Sequence, residues 1–280
     1  MPRLGQTPKR DEGTWRSLFF GAGKHTCTSR KGRKGEIFLE RVPPLYGATR
    51  ALFGLYGATF CPLVVEGAHH LPSAGPAILA PNHLAATDGF FLMAAAQRRL
   101  FFLAKQESFA STSLAGRIRG NYLKRIGCLP TERGGGPDAI RSILRRASRV
   151  LAGKRVLVIF PEGTFSLDGN VHRGRSGAAH LALTSQVPLI PVGITSSCRH
   201  RDVGVHRCPR SIRIRFGPAV DASSFSSGNA VRPAALELRA LTRHLMVSIA
   251  DLSGQTYVDT FAPTASIPAP PPAAVDRPTC

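Results

Sequence analysis

AILAPNHLAATDGFFLMAAAQ, residues 77–97, decides how this chain is read. Ala77 to Ala80 is a short, uninterrupted apolar run, the pattern of a strand buried on both faces. Pro81 ends it, and Gly89 to Gln97 carries a helical pattern, so a strand, a turn and a helix follow in succession. The connection holds Asn82, His83 and Asp88. A His five residues before an Asp would point about 140° away from it on one regular helix, at about 3.6 residues per turn. The two meet only when His83 lies in the turn and Asp88 in the first helical turn. Asp88 would then accept from one imidazole nitrogen and fix the tautomer, leaving the other nitrogen as a general base. Singly, His83 would also read as a structural histidine and Asp88 as a helix cap.

Working outward, the alternation of apolar runs and helical patterns continues. Leu100 to Ala104 reads as the next strand, and Gly127 to Pro130 is short and apolar. Pro137 to Gly153 is an amphipathic helix, and Val156 to Phe160 (VLVIF) is the clearest buried strand. A helix closes at His180 to Ser185, two strands follow at Leu189 to Ile194 and Ser211 to Phe216, and Ala234 to Ala250 is a last amphipathic helix. SIRIRF, residues 211–216, alternates as a strand with one wet face does. The fold class is α/β, one domain with a mostly parallel or mixed sheet flanked by helices.

Ligands of open α/β sheets sit beyond the carboxyl ends of the strands. Three polar clusters fall there: Asn82-His83, Thr131-Glu132-Arg133 and Glu162-Gly163-Thr164. They are expected to converge on one cleft. In FPEGT, residues 160–164, Gly163 permits close backbone approach, while an exposed Glu162 and Thr164 could hydrogen-bond a polyol; a plain strand-to-loop turn has the same composition. Arg133, followed by three glycines, suits a phosphate, although such an arginine is also a common solvated charge.

Residues 1–41 hold ten Lys or Arg against four acids, and 254–280 are rich in Pro and Ala, so neither end is expected to bury a core. The domain is expected at 42–253, between a disordered basic N-terminal tail and a disordered Pro-rich tail. The whole chain carries 37 Lys plus Arg against 17 Asp plus Glu, a formal charge of +20, which calls for a polyanionic partner: nucleic acid, an anionic membrane surface or a phosphate-bearing substrate. Six scattered cysteines without CxxC read as reduced thiols in the cytoplasm, and Trp15 to Gly23 does not form a secretory signal. The uncharged stretch 51–65 falls short of the ~20 residues a spanning helix needs, with Gly54, Gly57 and Pro62 as breaks. A helix within 42–64 is either a membrane-surface helix carrying Tyr46, Leu52, Phe53, Tyr56 and Phe60, or a core helix packed on the sheet. Cys198, His200, His206 and Cys208 match no common zinc spacing and read as part of a solvated basic loop. No RNP, helix-turn-helix or finger pattern supports nucleic acid, and Gly174 to Ala178 is not a nucleophile elbow.

Four blocks in order carry a family resemblance. They are NHxxxxD at Asn82 to Asp88, the block ending in Arg133, FPEGT at Phe160 to Thr164, and VPLIPVG at Val187 to Gly193. From about Val65 to Val220 the chain resembles the lysophospholipid acyltransferase family, best known for the 1-acylglycerol-3-phosphate acyltransferases. The resemblance implies a glycerolipid acyltransferase-like fold, with His83 as general base and Asp88 as its orienting partner. Asn82, Arg133, Glu162, Gly163 and Thr164 would be the acceptor-binding set. The implied reaction moves a fatty acyl group from acyl-CoA or acyl carrier protein to a lysophospholipid hydroxyl, with 1-acylglycerol-3-phosphate as first acceptor. No cofactor or metal is implied, and the protein is expected in the cytoplasm, peripherally attached to the inner face of the membrane. Another lyso-lipid or a glycolipid is the alternative acceptor, and a basic nucleic-acid-binding protein the alternative class. Relatives that take glycerol phosphates usually have Arg after EGT, where this chain has Phe165; Arg173 or Arg175 could compensate.

Overall fold

The computed structural model describes residues 42–110, 113–132, 136–196, 211–226 and 233–263. Within them the order is α1 (Pro44–Thr59), β1 (Leu63–Glu66), β2 (Ala77–Pro81), α2 (Asp88–Ala95), β3 (Leu100–Lys105), α3 (Leu114–Arg125), β4 (Cys128–Thr131) and α4 (Gly136–Ala152). There follow β5 (Val156–Val158), β6 (Val171–His172), α5 (Gly177–Ser185), β7 (Leu189–Ser196), β8 (Ile212–Phe216), α6 (Ala235–Ser253) and β9 (Tyr257–Val258). The elements read from periodicity are all present, with ends displaced by a few residues.

Seven strands form one sheet in the order β1-β8-β7-β2-β5-β3-β4. Every neighbouring pair is parallel except β7 and β8. Alternate residues of β2 serve opposite faces, as strand geometry requires. Ala77 and Leu79 join Phe91, Leu92 and Met93 of α2 and Tyr46 of α1 in one apolar layer. Ile78 and Ala80 join Ala147 and Val150 of α4, Leu181 of α5, and Leu245 and Ile249 of α6 in the other. Both faces are covered, which is why AILAP is apolar throughout and buried at every position. In β8 the isoleucines are buried, while Arg215 Nε lies 2.7 Å and Arg213 Nε 3.6 Å from the Glu66 carboxylate on β1.

α1 combines both readings of the 42–64 segment. Tyr46 follows the core-helix alternative: it is fully buried, and its hydroxyl accepts the Leu100 amide at 2.9 Å. Phe53 stacks on Phe90 of α2 with centroids 4.7 Å apart. The other side keeps Leu52 and Leu55 63 % and Phe60 75 % exposed. Gly54 and Gly57 do not break the helix; both are buried, and a Cβ on Gly57 would lie 3.2 Å from that of Leu63. Among the described residues no helix is long and apolar enough to cross a membrane.

Two further differences have physical causes. α3 escaped the periodicity reading because it packs through Gly116 and Gly120; a Cβ on Gly120 would lie 2.9 Å from the Phe109 carbonyl oxygen. Of its apolar side chains Leu114 and Ile118 are exposed, while Tyr122 and Leu123, adjacent in sequence, pack against the core. The chain also does not leave the fold after Ser253. Gly254, at φ +66°, closes α6 with the Gln255 amide donating to the Ala250 carbonyl at 3.1 Å, a Schellman cap. β9 then pairs with β6, and the Arg173 amide donates to the Thr260 carbonyl, so packing on the domain continues past the boundary expected at 253.

Candidate active site

The five parallel strands β7, β2, β5, β3 and β4 end at one edge of the sheet, and β2 and β5 are neighbours. The turns that follow these two therefore meet. Ser166 donates its amide to the His83 carbonyl at 2.8 Å, joining the FPEGT turn to the backbone of His83. The third cluster follows β4, two strands from β5, or roughly 10 Å at about 4.8 Å per strand. There Thr131 is buried and donates to the Ala104 carbonyl at 3.0 Å, and Glu132 is exposed. Arg133 lies outside the described residues. Lys105, exposed at the end of β3 between the two groups, was missed from sequence; a cation closing the run LFFLAK was its signal.

His83 sits in the turn and Asp88 opens α2, as the spacing required. Nδ1 of His83 lies 3.1 Å from Asp88 Oδ2. The same oxygen accepts the amides of Leu84 at 2.7 Å and Ala85 at 2.8 Å. Asp88 is 1 % exposed, and these amides offset the desolvation of its charge. With the carboxylate accepting, Nδ1 carries the proton and Nε2 keeps its lone pair. The imidazole is held between two rings, Phe160 at 3.8 Å and 23° and Phe165 at 4.2 Å and 50°. Phe165 thus packs directly on His83.

Glu162, expected to be exposed, is 3 % exposed. The turn at Gly163, with φ +74°, directs the carboxyl inward, where Oε2 accepts the His172 amide at 3.3 Å and Oε1 has no partner. Burial raises its pKa from the usual 4.5 to about 7, against the lowering effect of the His172 and His83 amides. A Cβ at Gly163 would lie 3.1 Å from Arg175 Nε, so both conformation and space call for glycine. Thr164 is half-buried in the same turn. Behind Glu162 lies a second imidazole–carboxylate pair that sequence reading missed: His172 Nε2 is 3.0 Å from Asp168 Oδ1. Burial tends to raise the Asp168 pKa, but the Asn170 amide and the His172 and Asn170 side chains outweigh it and hold the carboxyl below the usual range. The Ser166–Asn170 turn, built on Asp168, was its sequence signal.

Asn82 does not fit the acceptor-binding role. Its Nδ2 donates to the Ile194 carbonyl at 2.9 Å and to Gln255 Oε1 at 2.6 Å, and its Oδ1 accepts the Ile194 amide at 2.7 Å. At 1 % exposure it locks the exit of β2 to β7. Of the two arginines that could compensate for Phe165, Arg173 lies 3.8 Å from Asp259 and over the Phe261 ring. Arg175 lies beside Gly163 with no carboxylate within 4 Å among the described residues. No group of three or more metal-ligating side chains occurs among the described residues, and the Cys198 to Cys208 loop lies outside them.

Residues 62–195 match the family model described as Acyltransferase. The chain is 33 % identical to 1-acyl-sn-glycerol-3-phosphate acyltransferase alpha of Homo sapiens over 138 residues, 47 % of this chain and 45 % of that protein. It is 30 % identical to 1-acyl-sn-glycerol-3-phosphate acyltransferase of Limnanthes alba over 174 residues, 61 % of this chain and 58 % of that one. The chain thus spans about half the length of the curated relatives it matches. The crystal structure of the 1-acyl-sn-glycerophosphate (LPA) acyltransferase PlsC from Thermotoga maritima superposes with a TM-score of 0.53 at 21 % identity, covering 75 % of this chain and 80 % of that one. The two share a fold.

Proposed function

We propose that the chain is an O-acyltransferase, a reading supported by the match of residues 62–195 to the Acyltransferase family model. It moves a fatty acyl group from acyl-CoA or acyl carrier protein to the hydroxyl of a lysophospholipid, first of all 1-acylglycerol-3-phosphate, giving phosphatidate. The carrying observation is the His83–Asp88 pair at the end of β2, with Nδ1 committed to the carboxylate and the FPEGT turn against it. The choice of acceptor follows the names of the relatives.

In this reading Nε2 of His83 takes the proton of the acceptor hydroxyl as its oxygen attacks the thioester carbonyl. The tetrahedral intermediate collapses with loss of the thiolate, which leaves as the thiol with the proton from the imidazolium. Asp88 holds the ring in the tautomer that leaves Nε2 to accept the proton. Backbone amides of Thr164 and Phe165 are the candidate oxyanion donors. Arg133 and Arg175 are the candidate partners for an acceptor phosphate, and Glu162 supports the turn from within. The protein would work from the membrane surface at its inner face, with the exposed side of α1 in the lipid and the basic N-terminal residues against anionic headgroups.

The test is transfer by the purified full chain from acyl-CoA and from acyl carrier protein to lysophosphatidate and to other lyso-lipids and glycolipids, with product masses as readout. Phosphatidate formation that disappears in His83→Ala is the expected result. Absence of transfer from either donor to any acceptor by the folded wild-type chain would refute the reading.

A further inference from the structure

A side chain outside the matched segment reaches the residue next to the base. Gln255 follows the Schellman cap of α6, and its two amide ends go to two different parts of the site. Oε1 accepts from Asn82 Nδ2 at 2.6 Å, and Nε2 donates to the Gly169 carbonyl. Asn82 is the residue before His83 and is itself locked to Ile194 of β7. Gly169 lies in the turn that carries Ser166, whose amide holds the His83 carbonyl, and Asp168, whose carboxylate holds His172. His172 in turn donates its amide to Glu162. Gln255 thus joins the two backbone segments that fix His83 from either side.

The segment carrying Gln255 is itself fastened. Val171 donates its amide to the Thr256 carbonyl and Arg173 to that of Thr260, each at 2.9 Å. Tyr257 donates to Asp259 at 2.8 Å. Upstream, α6 ends hard against β7: a Cβ on Gly193 would lie 2.5 Å from the Leu252 carbonyl carbon and the Ser253 nitrogen. A glutamine held at both flanks on a rigid helix end can hold a loop in place, because little entropy remains to be lost when its bonds form.

We propose that Gln255 is a positioning residue for His83, and that residues 254–259 form a strap that completes the site from outside the 62–195 segment. The kinetic part of this proposal rests on the acyl-transfer reading above. Removing both amide bonds cuts the link between the Asn82 side and the Ser166 side of the base loop, while Asn82 keeps its two bonds to Ile194. A displacement of about 1 Å at a reacting group costs on the order of a hundredfold in rate, so kcat responds more than KM.

The experiment uses the full chain with Gln255→Met, which keeps the length and removes both bonds, and Gln255→Glu, which keeps only the acceptor for Asn82. Leu236→Ser, at the far end of α6 and 77 % exposed, is the control outside the strap. The first readout is the low-field proton resonance of His83 Nδ1–H, identified by its loss in His83→Ala. Gln255→Met should shift or broaden it, and Leu236→Ser should leave it in place. The second readout is kinetic: kcat falls about tenfold to a hundredfold in Gln255→Met and less in Gln255→Glu, with both KM values within about threefold. Leu236→Ser stays within about twofold of wild type. If Gln255→Met does not fold, Gln255→Glu carries both readouts alone. An unchanged resonance and kcat in whichever variant folds, whatever happens to its melting temperature, would overturn the proposal. So would equal kcat losses in Leu236→Ser. If the wild-type chain transfers no acyl group, the acyl-transfer reading fails, and the resonance still decides whether Gln255 positions His83.

Discussion

Replacing Glu162 with glutamine tests whether the carboxyl behind the base is a buried charge. Glu162 has one long hydrogen bond, from the His172 amide, a smaller stabilisation from the His83 amide, and a pKa that burial nevertheless raises from 4.5 to about 7. Between these two values the folded protein keeps a proton that the unfolded chain has released, so stability falls as pH rises through the window. The stabilisation is full below about 4.5 and gone above about 7. At about 1.36 kcal/mol per pH unit, this span corresponds to about 3 kcal/mol. The amide variant has no proton to release at this position and so lacks the slope. The stability of Glu162→Gln minus that of wild type should therefore grow by about 3 kcal/mol from pH 4.5 to pH 8, whatever constant offset the amide introduces. Urea unfolding of both proteins at half-unit pH intervals measures the difference directly. A difference constant to within about 1 kcal/mol, or one that shrinks as pH rises, would refute the assignment of a buried carboxyl with a raised pKa.

His83→Ala should leave a folded protein with about 10²–10⁴-fold lower turnover, and Asp88→Asn should also be severe because an amide can hold the wrong tautomer; near-normal rates in either would remove the pair from the mechanism. Gly193→Ala drives a Cβ into the backbone at Leu252 and Ser253 and should cost about 1–3 kcal/mol or more, read as a lowered melting temperature. Phe165→Arg sets a guanidinium beside His83 and should raise the preference for phosphate-bearing over neutral acceptors by about tenfold or more, measured as a ratio of kcat/KM values; an unchanged ratio argues that the position does not meet the headgroup. Substituting Leu52, Leu55 and Phe60 by Ser should abolish the part of vesicle binding that survives high salt and spare the salt-sensitive part, as vesicle co-sedimentation would register.

The strands and helices with large apolar residues at regular spacing were legible from the sequence, because β2, β5 and β7 are covered on both faces and α4 and α6 pack through side chains. α3 was not, since its buried positions Gly116 and Gly120 carry no side chain and its packed side chains Tyr122 and Leu123 are neighbours in sequence, a pattern hydrophobic periodicity does not register. The His83–Asp88 geometry could be derived from the impossibility of a five-residue meeting on one helix. Glu162 was misjudged as exposed because a turn composition says nothing about the direction a side chain takes after a positive-φ glycine. Asn82 and Gln255 are tied by contacts between distant segments; Asn82 meets Ile194 across 112 positions and Gln255 across 173, whereas Asp168 and His172 meet across only four. Composition of the last residues, rich in Pro and Ala, hid Gln255 altogether.

The pairing of β1 with β8 sets a waiting time during synthesis. Glu66 and Arg215, bonded across these strands, are 149 positions apart. At about 5–20 residues per second the ribosome needs roughly 7–30 s to make the intervening chain. For that interval β1 emerges with its ladder partner still unmade, and the apolar side of α1 is present beside it. Loop closure over this separation comes late, so the first strand of the sheet is among the last to be hydrogen-bonded. A lipid surface that received α1 in that interval would hold the nascent amino-terminal segment in place until β8 arrived.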